Sequence, residues 1–163
     1  MNCTPDDTVD VVGINKIIYG YEPTDESVND RIFEFKVSLS IKCYRIIRCL
    51  PSHTFEDLHS AIQDAFDFND DHLYSFYLSG ERYSHHAVHS PNAFESPYAD
   101  AVCLSDVRLR DKQCILYLFD YSDCWEFDVT VGISKKGTES FKNPEIIKSV
   151  GDSPKQYSDY SDY

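Results

Sequence analysis

Leu116-Tyr117-Leu118-Phe119-Asp120-Tyr121-Ser122-Asp123-Cys124-Trp125-Glu126-Phe127 is the stretch on which the fold turns. Two strand-like runs flank a short acidic turn, and the second opens on the only tryptophan of the chain. With Tyr121 and Ser122 as a two-residue loop, position 118 faces 125 and 116 faces 127. That register stacks Leu116 and Leu118 on Phe127 and Trp125 and leaves Cys114 and Cys124 out of step, so no disulfide is expected between them. Beyond the turn, Trp125, Phe127, Val129, Val131 and Ile133 alternate with Glu126, Asp128 and Thr130, a strand with one buried face.

The same period of two recurs upstream. Phe33, Phe35, Val37, Leu39 and Ile41 alternate with Glu34, Lys36, Ser38, Ser40 and Lys42, and a second strand runs from about Tyr44 to Leu50 and stops at Pro51. The period then changes. Phe55, Leu58, Ile62, Ala65 and Phe66 fall at helical spacing, with Thr54 and Asp57 placed as a capping box at the start. Asn69-Asp70-Asp71 ends the helix, His72 to Leu78 reads as a strand, and residues 84–100, with Pro91 and Pro97, read as loop. These elements predict an α+β fold, an antiparallel or mixed β-sheet packed against one principal α-helix. Residues 1–30 form an acidic N-terminal arm interrupted by Ile17-Ile18-Tyr19, residues 31–150 the domain, and residues 151–163 an acidic Tyr-rich tail expected to be disordered.

Composition narrows the function classes. With 163 residues, one domain can bury a core, and 12 Tyr and 10 Phe suit strands. Six glycines leave little for a phosphate-cradling loop; the segment from Gly132 to Glu139 has two glycines at the spacing of a P-loop but lacks its Lys and hydroxyl. The formal charge of −13 repels phosphate backbones and argues against direct nucleic-acid binding. The first 30 residues are acidic rather than basic-then-apolar, and no apolar run is long enough to span a membrane, so a cytoplasmic protein is expected. Cys3, Cys43, Cys49, Cys103, Cys114 and Cys124 include no Cys-x-x-Cys pair and read as reduced thiols.

Several motifs run together along the body. They are Tyr44-Arg45, Leu50-Pro51, Thr54-Phe55, Leu58-His59, Ile62, Ala65-Phe66, His72-Leu73-Tyr74, Phe76, Phe119-Asp120-Tyr121-Ser122-Asp123 and Trp125, with Gly151, Pro154 and Gln156-Tyr157 at the close. In this combination the chain resembles the plasmid pRiA4b ORF-three-like domain over roughly residues 31–157. The resemblance implies an α+β fold and occurrence on plasmids, transposable elements and bacterial chromosomes, without an established activity. Two departures from the family pattern stand out: Ser122 replaces a turn glycine, so the turn needs no positive φ there, and Phe127 replaces a histidine.

His59, His72, Asp120, Asp123 and Trp125 sit on those motifs and form the candidate functional cluster. Two histidines and two carboxylates are the donor types of a divalent-metal site, but no short ligand spacing links them, and the bland reading gives them caps and turn amides to satisfy. His85-His86-x-x-His89 reads as a solvated loop. From Cys49 through Glu81 there is no Lys or Arg, while Asp64, Asp67, Asp70 and Asp71 cluster as a candidate acidic interaction patch. Lys42, Arg45 and Arg48 make the second strand basic, and pairing between that strand and the helix is expected, with Arg45 structural. No catalytic, cofactor-binding or metal-binding residue is assigned, and no cofactor is expected. The function expected is a non-enzymatic protein-binding or adaptor module linked to mobile elements. The alternatives are an acidic nucleic-acid-mimicking inhibitor of a DNA-handling protein and a metal-dependent enzyme using His59, His72 and the aspartates.

Overall fold

Seven strands lie side by side in one antiparallel sheet in the order β4-β3-β5-β6-β1-β2-β7. They are β1 (Arg31–Ser40), β2 (Cys43–Cys49), β3 (Tyr74–Tyr77), β4 (Ala87–His89), β5 (Cys114–Phe119), β6 (Trp125–Lys135) and β7 (Glu145–Val150). One helix, α1 (Phe55–Phe66), covers one face. The computed structural model describes residues 30–157 except positions 136, 138 and 139, so nearly all of the acidic arm, including Ile17-Ile18-Tyr19, lies outside the described residues. So do the last residues of the tail, from 158 on.

The alternation in β1 and β6 does what a period of two dictates. Phe33, Phe35 and Val37 of β1, with Phe127, Val129 and Val131 of β6, point to the helix side and are buried. From α1, Phe55 meets Phe76 at 5.3 Å between ring centroids and Phe66 meets Phe127 at 5.0 Å. Each ring pair is tilted, the geometry that aromatic quadrupoles favour.

The helix ends are fastened by groups distant in sequence. At the start, Thr54 and Asp57 complete the capping box, and the chain at 99–102 supplies carbonyls: Phe55 N–H donates to Val102 O and Glu56 N–H to Ala99 O. The first-turn donors that a helix leaves unpaired are thereby satisfied. At the other end Asp67 adopts the left-handed conformation at φ 55° and the last turn contains no basic residue. Arg45 supplies the cation from the sheet instead. Its Nε donates to Ala65 O at 2.9 Å, and its guanidinium also reaches Tyr44 O, Val150 O and Ser153 Oγ while lying over the Phe66 ring. Arg48 pairs with Glu145 of β7, so the basic strand is neutralised by carbonyls and by its sheet neighbour, not by acids of the helix.

The hairpin differs from its predicted register by one residue. Phe119 faces Trp125 and Tyr117 faces Phe127. The reason lies in the turn: Asp120 and Cys124 both take positive φ, and Cys124 N–H donates to Asp120 O at 2.7 Å, which makes the loop longer than two residues. Ser122 needs no positive φ, as expected of a serine there. A slip of one residue exchanges the faces of a strand. Tyr117 and Phe119 therefore enter the main core, while Leu116 and Leu118 join Tyr77 and Ala87 in a small cluster on the opposite face.

Two strands lack a periodic signature in sequence. β4 occupies three residues of the segment read as loop, and β7 is an edge strand whose Ile146 and Ile147 are both exposed. Gly151 follows β7 with φ 80°, and a Cβ there would collide with the Lys42 carbonyl oxygen. The tail then folds back: Gln156 exchanges hydrogen bonds with Asn69, accepting from its N–H and donating to its carbonyl. Cys43, Cys49, Cys103 and Cys124 are free thiols, and the expectation of reduced cysteines fits those four and not Cys114, which is disulfide-bonded.

Candidate functional site

His59 is 1% exposed, on the sheet-facing side of α1. Its Nε2 lies 2.8 Å from Asp70 Oδ1 and its Nδ1 lies 2.7 Å from the Tyr117 hydroxyl. A carboxylate only accepts, so Nε2 carries the proton, and Nδ1 of the neutral ring accepts from Tyr117. Gln63 Nε2 donates to the same hydroxyl at 3.0 Å. Burial holds the His59 pKa below the usual histidine range, with Asp70 pulling the other way. Burial likewise pushes Tyr117 well above the ordinary phenol. The Tyr74 ring stacks on His59 at 3.5 Å between centroids and 8° between planes. The order Tyr117–His59–Asp70 is that of a proton relay, but the Tyr117 side chain is completely buried, and the relay ends inside the core.

His72 lies at the exposed end of the same region. Its Nε2 is 3.1 Å from the Tyr157 hydroxyl, 3.4 Å from Asp120 Oδ2 and 3.6 Å from Asp71 Oδ1. Tyr157 donates to Asp71 Oδ2 at 2.6 Å, so its oxygen accepts from His72. The Asp71 carboxylate raises the Tyr157 pKa to about 12. Asp120 is buried, and its Oδ1 accepts from the backbone N–H groups of Ser122 and Asp123, shaping the turn. Asp123 is exposed. Trp125 is half-buried and meets Phe68 edge-on at 4.9 Å.

Of the candidate cluster, then, His72 and Asp120 come together, and the exposed Asp70 and Asp71 of the acidic group bind His59, Tyr157 and Gln156 of the same chain. Asp64 and Asp67 are exposed at the end of α1. Among the described residues, no three His, Cys, Asp or Glu side chains converge in a way that could hold a metal ion.

The other face of the sheet carries an open pocket of about 280 Å³. Ser75 and Tyr77 of β3 form its floor, Tyr121 of the turn and His89 of β4 its sides, and Tyr83, Phe94 and Glu95 its rim. Ser75 Oγ is 2.7 Å from His89 Nδ1 and 2.8 Å from the Tyr121 hydroxyl, which donates to Tyr74 O. Tyr83 and Phe94 are largely or fully exposed, a costly place for two aromatic rings facing water. Of these residues the sequence singled out only Tyr121, as part of the turn, and His89, read as solvated loop; His89 instead ends β4 with its ring largely enclosed and bonded to Ser75. β3 and β4 are too short to show alternation, and Tyr83 and Phe94 come from loops that the fold alone brings to the sheet.

The sequence profile of plasmid pRiA4b ORF-3-like proteins matches residues 31–159, from the first residue of β1 past the Gln156-Tyr157 clamp. The chain belongs to that family. Of the polar motif positions named from the sequence, His59, His72 and Asp120 are hydrogen-bonded or ion-paired within the fold, and Asp123 is exposed. A crystal structure of a protein of unknown function from Methanosarcina mazei Go1 is similar at a TM-score of 0.61 and 22% identity, covering 76% of this chain and 71% of that one. That likeness extends to the fold alone. No curated protein matches the chain. No helix among the described residues is long and apolar enough to cross a membrane.

Proposed function

We propose that this member of the plasmid pRiA4b ORF-3-like family is a non-enzymatic protein-binding module of the bacterial cytoplasm, serving plasmids or other mobile elements. The observation that carries the reading is the pocket on the uncovered sheet face, rimmed by exposed Tyr83 and Phe94. Aromatic side chains anchor protein interfaces because they bury large area at little entropic cost. The reading is supported by where the motif polar groups go. Those of His59 and Asp120 are committed to partners inside the fold, which leaves little for chemistry on a substrate. The charge of −13 favours a protein over a nucleic acid as the partner. The link to mobile elements rests on the family name.

A photo-crosslinking residue placed at position 94 tests this in the native host. Adducts with a discrete protein are expected from position 94, absent from position 60 on the exposed side of α1, and lost when Tyr83→Glu is added. Equal labelling from both positions, or none from position 94, removes the proposal.

A further inference from the structure

We infer that the pocket takes the ammonium head of a lysine side chain carried on an exposed basic segment of the partner; this rests on the protein-binding reading above. The walls are aromatic and set at steep angles. Tyr83 stands at 75° to Tyr77 and His89 at 79° to Tyr77, with centroids 6.1 and 6.2 Å apart. Tyr121 and Phe94 add further rings to the lining. The face of an aromatic ring attracts a compact cation, whereas a planar guanidinium prefers to lie flat on it. The Arg82 guanidinium lies over the Tyr83 ring at 5.8 Å from its centroid, held there by Glu126.

The polar lining fits an N–H donor. Tyr121 spends its proton on Tyr74 O, so Ser75 donates to Tyr121 and accepts from His89 Nδ1–H. Neutral His89 then turns a bare Nε2 toward Glu95, 3.7 Å from Oε2. Burial favours that neutral form. One neutral acceptor and one carboxylate thus stand beside the aromatic lining, matched to an ammonium with three donors. The negative charge of the whole chain adds long-range attraction for a basic segment.

Three probes decide the matter by NMR of the tyrosine ring resonances: acetyl-Gly-Lys-Gly-amide, its norleucine isostere, and methylammonium. The lysine peptide should shift Tyr77, Tyr83 and Tyr121 saturably, and bind about fivefold or more tightly than the norleucine peptide. Glu95→Gln and Tyr83→Ala should each weaken the lysine peptide by about threefold or more at unchanged melting temperature, since both positions are exposed. Equal binding of the norleucine peptide, indifference to Glu95→Gln, or no shift at all overturns the inference. Methylammonium binding as tightly as the peptide also overturns it, by assigning the pocket to a free amine. In each of those cases, crosslinking from position 94 still reports separately on the protein-binding reading.

Discussion

The two faces of this sheet use the same residue types to opposite ends. On the covered face, Tyr117, His59 and Asp70 form a closed chain in which each polar atom of the histidine has one partner and no solvent reaches the tyrosine. On the uncovered face, Tyr121, Ser75, His89 and Glu95 form an open chain that ends at a pocket. A histidine, tyrosines and a carboxylate occur in both. What separates structure from a binding site is therefore access, not composition: the buried Gln63 Oε1 and Tyr74 hydroxyl beside the closed chain also have unfilled capacity, but no partner molecule can reach them. A polar network that is open at a surface is available to a partner.

The contrast predicts unequal costs for equal truncations. Phe127→Ala removes a ring buried between β6 and α1 and should cost about 3–5 kcal/mol by urea unfolding. Trp125→Ala, at a half-buried edge of the same core, should cost about 2 kcal/mol. Phe94→Ala, on the uncovered face, should stay within about 0.5 kcal/mol. If Phe94→Ala costs as much as Trp125→Ala, the pocket rim is core and the distinction between the faces fails.

Removing the acceptor of the closed chain should matter less than removing a buried ring but more than removing a charge without a buried partner. Asp70→Asn should destabilise by about 1–2 kcal/mol, because a charge-assisted hydrogen bond to a buried imidazole becomes a neutral one. Acidity probes the same contact. Burial lowers the folded pKa of His59, so as pH falls through about 6.5 the unfolded chain takes a proton that the folded chain refuses. Stability is whole above that pH and declines toward the lowered folded value. His59→Gln should flatten the fall in melting temperature between pH 7 and 5 more than His89→Gln does, since His89, though shifted the same way, is less enclosed. A larger flattening from His89→Gln would invert the assignment of closed and open chains.

Legibility in the sequence followed burial asymmetry. β1, β6 and α1 each have one dry and one wet side, and their residues alternate or repeat accordingly, so element type, fold class and capping box were all readable. β5 is buried on both sides, which erases the alternation that would have fixed its register. The register then depended on the turn, and positive φ at Asp120 and Cys124 leaves no mark as plain as a glycine. β7 is wet on both sides and equally silent. The His59 contacts were hidden because Asp70 and Tyr117 stand 11 and 58 residues away. The pocket was hidden because its residues come from strands, a turn and two loops whose proximity only pairing creates.

The smallest effect concerns the acids left over once His59 has taken Asp70 and the Gln156-Tyr157 clamp has taken Asp71. Asp64 lies in the last turn of α1, whose C-terminal end carries partial negative charge and has no basic residue of its own. Asp67 follows in the left-handed position, which asparagine tolerates as well as aspartate does. Arg45 offsets the dipole through Ala65 O, but its remaining N–H groups go to Tyr44, Val150 and Ser153 rather than to either carboxylate. Asp64→Asn and Asp67→Asn should therefore each raise stability by about 0.3 kcal/mol, visible as a small increase in the urea midpoint at constant slope. Neither change should alter crosslinking from position 94, because both acids belong to the covered side of the sheet. Loss of that crosslink with folding intact would move the partner to the acidic end of the helix and return the nucleic-acid-mimic reading to the front.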